Sequence, residues 1–425
     1  MRLTDRRLRA ASLLLAGALA TSFGPPVPLT RPAYADGPER RPPQTSDGAH
    51  GERALPIPES LRGPQVWTTL QAYAIAPGVS FEQFDLSDAR GVVRGQLVRI
   101  DPTTPGVGFD LVAGRHVASR HLVADLMDPE AVVGVNGDFF DIRDTDAPLG
   151  VAKDRQRGLL NGVRRGWNSA FWVDASGTPH IGELSAHARI RQLPHLDVTS
   201  VDSPFVRPGQ VGLYNRRWGR LRWYRVVDRQ RHGVRMVVVR HGRVVANRSR
   251  FPRSLQVRDQ LLVGRGAGAA RLAGLRTGQR ISADLSLSRR VAMAVTGNTF
   301  ILRDGVRVST DDIDLHPRTA VAIDRDTGQL LLLVVDGRQE LSRGMTMKEL
   351  ARLFQRLGAE DALNLDGGGS SIMVARRSDG SLAVLNSPSD GHPRAVANGL
   401  EVTYRPAPAR PSSSPRSTPA AATAP

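Results

Sequence analysis

The 425-residue chain contains no cysteine. Disulfides are therefore excluded, so packing alone must stabilise any exported form. A bound metal would have to take oxygen or imidazole ligands. Aromatic residues make up only 5% against 40% hydrophobic residues overall, which permits a sizeable core but not one rich in rings. Lysine is almost missing: Lys153 and Lys348 are the only two among 58 basic residues. Beyond the first 25 residues no apolar run is long enough to span a membrane, so no stable membrane anchor is expected. No nucleic-acid motif occurs, and the basic residues are scattered instead of interleaved with aromatics, so nucleic acid is not an expected partner.

What is present begins with Arg2, Arg6, Arg7 and Arg9, followed by an apolar stretch from Ala10 to Ala20. Ala33-Tyr34-Ala35 offers a small-x-small cleavage site, with Ala18-Leu19-Ala20 as an earlier option, and together these predict a secretory signal over 1–35. Arg6-Arg7 also permits a twin-arginine signal. The net charge is +17, and cleavage after Ala35 removes five arginines and one aspartate, leaving +13. An arginine-rich genome composition explains this bias in one way, and attraction to anionic partners in another. For an exported or wall-associated protein, the anionic partner expected is a phosphate-containing glycopolymer.

Residues 36–62 are rich in Pro, Gly, Arg and Asp and predict a disordered linker, and 405–425 read as a Pro/Ser/Ala-rich tail. One large folded domain is left, 63–404. Thr319–Ile323 and Leu330–Val335 are apolar runs separated by Asp324-Arg325-Asp326-Thr327-Gly328, the pattern of a hairpin. Thr346-Met347-Lys348-Glu349 is a capping box, after which Leu350, Leu353, Phe354 and Leu357 mark one helical face and Gly358 ends it. With Ala362–Leu365 as the next strand, the spacing predicts a strand-helix-strand crossover with parallel, neighbouring strands. The fold expected is α+β: a mixed sheet with crossover helices, and a β-rich middle segment at about 170–310.

The most informative stretch is Asp366-Gly367-Gly368-Gly369-Ser370-Ser371, at the end of an apolar strand. Three glycines weaken a strand, so close approach to bare backbone is a reason to keep them. The stretch is neither a Walker loop nor a nucleophile elbow, but its N–H groups could form an anion-binding nest. Asp336, at the end of the preceding strand, is expected on the same sheet edge, with Arg338 just beyond it. A second strand end, Asn136-Gly137-Asp138-Phe139-Phe140-Asp141, repeats the theme of polar groups around glycine. Asn364 lies between Leu363 and Leu365 and needs partners if it points inward. His316-Pro317-Arg318 and His392-Pro393-Arg394 form a repeated tripeptide, and arginine suits phosphate as well as a surface ion pair. Clustered Asp and Asn oxygens are also compatible with calcium, though no EF-hand spacing occurs, so the metal ligands, if any, are unassigned.

In chain order, G-V-N-G-D-F-F-D (134–141), H-P-R-T-A-V-A-I-D (316–324), V-V-D-G-R (334–338), L-N-L-D-G-G-G-S-S (363–371), N-S-P-S-D-G (386–391) and R-A-V-A-N-G-L (394–400) resemble the phosphodiester glycosidase family. The resemblance implies an α+β fold and hydrolysis of the bond between an anomeric carbon and a phosphate oxygen. It carries over Asn136, Asp138, Arg318, Asp336, Arg338, Asn364, Asp366, Gly367, Gly368, Ser370 and Ser371 as site positions, and Gly369 belongs to the same turn. Asp366 and Asp336, then Asp138, are the catalytic candidates, and the others would bind substrate. Thr296-Gly297-Asn298 departs from the expected Gly-Gly pair, which bears on substrate contacts near that loop. The leading expectation is an exported hydrolase acting on sugar 1-phosphodiesters. The alternatives are a phosphodiesterase or phosphotransferase that breaks the P–O bond, and a non-catalytic wall-polymer binder.

Overall fold

The structure, a computed structural model, describes residues 51–406, so the expected leader, the first part of the linker and the tail from 407 on lie outside the described residues. Strand makes up 45% and helix 8%. The α+β expectation is therefore overturned: the protein is mainly β, made of several sheets. Most of the apolar runs pair as antiparallel ladders, and among the described residues one helix alone, Met347–Arg356, reaches ten residues.

The strands that position the site are β1 (Val66–Ala76), β2 (Val79–Asp88), β3 (Gly91–Ile100), β4 (Val107–Ala113), β5 (Ala131–Asn136), β6 (Met293–Thr296), β7 (Thr299–Arg303), β8 (Arg318–Ile323), β9 (Leu330–Val335), β10 (Asp361–Asn364), β11 (Met373–Arg376) and β12 (Asn398–Tyr404). An eight-stranded sheet runs β1-β2-β3-β9-β8-β10-β7 and ends on the short Val306–Arg307. A five-stranded sheet runs from Leu382–Val384 through β11, β5 and β12 to β4. β6 belongs to a third, twelve-stranded sheet formed from the middle of the chain. Among the described residues the one parallel ladder joins Val198–Val201 to Val211–Asn215 in that third sheet.

The hairpin read from 319–335 is present as β8 and β9, paired antiparallel from Arg318 opposite Val335 to Ile323 opposite Leu330. The expected neighbour relation of β9 and β10 is not. β8 lies between them, antiparallel to both, so β9 and β10 run the same way one strand apart. The cause lies in burial on two sides. Along β9, Leu331, Leu333 and Val335 pack in one core with Leu350, Leu353 and Phe354 of the helix. Leu330, Leu332 and Val334 enter the other core, which they share with Val133, Val135, Leu400 and Val402 of the five-stranded sheet. The small residues of β8, Ala320 and Ala322, face the helix while Val321 and Ile323 face the second core, which suits a central strand covered on both faces.

The helix starts as its sequence dictates. The Glu349 backbone N–H donates to Thr346 Oγ1 (3.2 Å), and the Thr346 backbone N–H donates to Glu349 Oε2 (3.0 Å). Glu349 is buried between Arg90 (3.0 Å) and Arg343 (2.9 Å). Gly358, at φ +85°, takes the left-handed turn beyond the helix end. Residues 52–62, expected as linker, are tied to the domain: Glu52–Arg53 pairs with Asp314–Leu315, and Arg62 is buried against Asp312.

Candidate functional site

Three sheets meet where β5, β6 and β10 end and β8 and β12 begin. Asn136, at the end of β5, is fully buried and joins two of the sheets: its Nδ2 donates to the Asp366 carbonyl (2.6 Å), and its Oδ1 accepts from Thr319 Oγ1 (2.8 Å) and the Ile372 N–H (3.1 Å). The Asp366 N–H donates to the Gly137 carbonyl (3.0 Å), so the chain on either side of Asp366 is pinned to Asn136-Gly137. The Gly137 N–H in turn donates to the Asn398 carbonyl (3.0 Å), and the Asp138 N–H donates to Asn398 Oδ1 (2.8 Å). The third sheet enters through Thr296, whose Oγ1 donates to Asp138 Oδ2 (2.9 Å).

Asp138 is strongly perturbed. Burial pushes it up to about 8, against the Gly150 N–H (2.8 Å) and Thr296 hydroxyl, which favour the ionised form. Both of those donors serve Oδ2, while Oδ1 is buried without a hydrogen-bond partner. Oδ1, the oxygen without a hydrogen-bond donor, is therefore the one that a proton held at neutral pH would occupy.

The glycine turn is built differently from a nest. The Gly368 N–H donates to the Pro317 carbonyl (3.0 Å), Ser370 N–H to Gly367 (3.1 Å) and Ser371 N–H to Gly368 (3.2 Å). Those donors face inward. The groups the turn leaves uncommitted are the Ser370 and Ser371 hydroxyls, both buried and without a hydrogen-bond partner among the described residues. Gly368 needs its freedom for a φ of +59°, and a Cβ on Gly369 would run into the Arg394 guanidinium and Asp390. Arg394 itself is paired to Asp390 (2.7 Å). Both His-Pro-Arg tripeptides thus flank the turn, one through Pro317 and the other through Arg394.

The remaining expected residues divide. Asn364 donates through Nδ2 to Asn298 Oδ1 (2.8 Å), and its Oδ1 is buried without a partner. Gly297 is required beside it, since a Cβ there would strike the Asn364 carbonyl. Arg318 donates from Nε to the Met345 carbonyl (3.0 Å) and from Nη2 to the Asp314 carbonyl (3.3 Å), and it is buried at the start of β8. Arg338, at φ +59°, bonds through Nη2 to His316 Nδ1 (2.8 Å). Asp336 has both oxygens committed: Oδ2 accepts from Gln96 Nε2 (3.0 Å), and Oδ1 accepts from Asn386 Nδ2 (3.2 Å) and the Ser387 N–H (2.9 Å). Burial raises its pKa, opposed by those hydrogen bonds. Asp336 therefore holds the 386–387 loop in place, with Gly337 packed against Pro317 and Gly344.

Four residues that complete this network, Gln96, Thr296, Asn386 and Asn398, were not among the expected site positions. Asn386 and Asn398 lie inside recognisable motifs, and Thr296 precedes the odd Gly297-Asn298, so these had a signal. Gln96 had one too, a lone amide in the buried run of β3. No group of three or more His, Asp or Glu placed to hold a metal occurs among the described residues. No helix among them is long and apolar enough to cross a membrane.

The fold and site define a mainly-β protein that gathers carboxylates, amides and a glycine turn where three sheets meet. Residues 224–403 match the model of the phosphodiester glycosidase family. The likeness read from the motifs is thereby borne out. Over 76 residues the chain is 47% identical to N-acetylglucosamine-1-phosphodiester alpha-N-acetylglucosaminidase of Bos taurus, covering 18% of this chain and 13% of that enzyme. Over 132 residues it is 30% identical to the SPbeta prophage-derived uncharacterized protein YomE of Bacillus subtilis (strain 168), covering 30% of this chain and 20% of that protein. The aligned stretches thus span a fifth or less of these relatives. A crystal structure of a Burkholderia pseudomallei K96243 protein, provisionally described as exported, superposes with a TM-score of 0.64 at 19% identity, over 84% of this chain and 99% of that one. That last likeness speaks for the fold.

Proposed function

We propose that the protein is an exported hydrolase that cleaves the glycosyl–phosphate bond of sugar 1-phosphodiesters in cell-wall or extracellular glycopolymers. The observation that carries the reading is Asp138: a buried, proton-retaining carboxyl whose unpartnered oxygen lies at the same junction as Asp366, Ser370, Ser371 and the Asn364 amide. A glycosyl phosphodiester has a good leaving group, so the site must chiefly support positive charge at the anomeric carbon and accept the departing phosphate. Asp366 is the carboxylate for the first task and for taking the proton of the attacking water. Water's oxygen bonds to the anomeric carbon while the carbon–oxygen bond breaks, its electrons leaving with the phosphate. Asp138 protonates or hydrogen-bonds the departing oxygen. Ser370 and Ser371, presented by the turn Gly367–Gly369, hold the sugar phosphate together with Asn364, with Arg318 and Arg338 supplying positive charge behind them. Asp336 positions the 386–387 loop.

Export and a wall setting are supported by the N-terminal pattern and the basic net charge of +17. The test is hydrolysis of a panel of sugar 1-phosphodiesters in heavy-oxygen water, with and without a chelator, since clustered Asp and Asn oxygens are of the kind calcium takes. Label in the sugar is expected. Label in the phosphate would assign P–O cleavage instead, and binding without turnover would leave a polymer-binding protein. Asp366→Asn should abolish turnover with the melting temperature unchanged, and near-normal turnover would remove Asp366 from the mechanism.

A further inference from the structure

Away from the glycine turn, Arg222, Arg225, Arg229, Arg231 and Arg253 line one open cleft of about 240 Å³ together with Tyr224. Five guanidiniums in one cleft repel one another unless anions intervene. Among the described residues one carboxylate is ion-paired to them: Asp144 lies 3.7 Å from Arg225 Nε and 3.0 Å from Arg229 Nη2. Arg222, Arg231 and Arg253 pair with no carboxylate among the described residues. Beside the cleft, Asp228 (φ +52°) and Arg229 (φ +56°) both take the left-handed conformation that non-glycine residues adopt at a cost.

The cleft is fixed relative to the candidate site by one short loop. Asp144 sits in the turn that follows Asp138, and Asp141 staples that turn. Asp141 Oδ2 accepts from the Thr145 N–H (3.0 Å) and Oγ1 (2.7 Å), and the Asp141 N–H donates to the Ala147 carbonyl (3.0 Å). Arg225 Nη1 also donates to the Asp144 carbonyl.

We propose that this cleft docks a polyanion that bears phosphodiester groups along its length but no bases. Arginine forks suit phosphate oxygens bidentately. The one aromatic ring lining the cleft whose surroundings are described, Tyr224, is already met by Phe251 (centroids 5.8 Å apart) and by the Arg231 guanidinium (4.9 Å from the ring centroid), which leaves little platform for a stacked base. The docking makes the protein act on repeating polymers by holding one repeat while another occupies the site. That consequence rests on the proposed reaction, whereas the docking itself does not.

The experiment compares the full-chain protein with an Arg231→Gln, Arg253→Gln double variant, whose side chains make no ion pair described here. Poly(glycerol phosphate) is the probe, with a single-stranded DNA oligonucleotide of equal charge as comparison. The expected result is a loss of about tenfold or more in polymer affinity, a shallower dependence of affinity on salt, an unchanged melting temperature and unchanged turnover of a short sugar 1-phosphodiester. Equal polymer binding by the variant, no polymer binding by the wild type at low salt, or tighter arginine-dependent binding of the DNA would each overturn the proposal. If the variant loses polymer binding while the wild type fails to hydrolyse the short substrate, the docking surface stands and the proposed reaction falls.

Discussion

Asp138 shows how one side chain can be set by two sheets at once. Its backbone N–H is fixed by Asn398, and its Oδ2 by Gly150 and Thr296, so burial acts on a carboxyl that cannot turn away. Raised to about 8, it is protonated at neutral pH and ionises as pH rises through that value. If its proton serves the departing phosphate, the rate should fall on the alkaline side with a midpoint near that value. Asp138→Asn should lose most turnover, by about 10²–10⁴-fold, while staying folded; a pH–rate profile and a melting curve for each protein check this. The residues around it were unevenly legible. Asp138, Asp366 and the glycines stand in motifs, whereas the bond from Asp138 to Asn398 joins positions 260 apart and leaves no local pattern. Asp336 was read correctly as a strand-end carboxylate, but its commitment to Asn386 and Ser387 depends on a loop that periodicity does not place.

At the level of elements, the start of the helix Met347–Arg356 depends on few groups. Thr346 supplies the cap, and Glu349 both completes it and receives Arg90 and Arg343, a buried arrangement in which the arginines outweigh the burial that would raise the Glu349 pKa. Thr346→Ala should cost about 1 kcal/mol. Glu349→Ala should cost more, about 3–5 kcal/mol, because it strands buried guanidiniums. Urea midpoints at neutral pH measure both. This element was legible because a capping box and an apolar face are local signals. The insertion of β8 between β9 and β10 was not. Both orders satisfy the same local pattern, and what decides between them is the pair of cores on either face of the sheet.

For the whole molecule, several buried acids share one direction of shift. Burial raises Glu401 to about 7, aided by the Asp128 and Asp110 charges, and raises Asp110, its cross-strand partner, to about 6. Asp138 joins them at about 8. A carboxyl with a raised folded pKa contributes stability that is present below its unfolded pKa and lost as pH rises through the folded value. Glu349 and Asp312, lowered against burial by their arginine partners, act the other way and lose their contribution under acid. The melting temperature should therefore peak in mildly acidic buffer and decline as pH rises from about 4.5 to about 8. Glu401→Gln should flatten the part of that decline below about pH 7, which calorimetry across pH can read. A mainly-β architecture was within reach of the sequence for the middle segment alone, because a single well-marked helix between two strands suggested a pattern that the rest of the chain does not follow.

The junction of the three sheets has a consequence for how the chain acquires its site. Asn136 and Asp138 come before the stretch that carries the family match, and β3, β4 and β5 also lie before it, yet β9 and β12 pair directly with them. The matched stretch is thus not a foldable unit by itself. Its strands finish sheets begun about a hundred or more residues earlier, so the site closes only after contacts between distant parts of the chain have formed, a topology that folds slowly. A ligand that bridges Asp138 and the glycine turn would then stabilise the molecule as a whole and not one lobe of it.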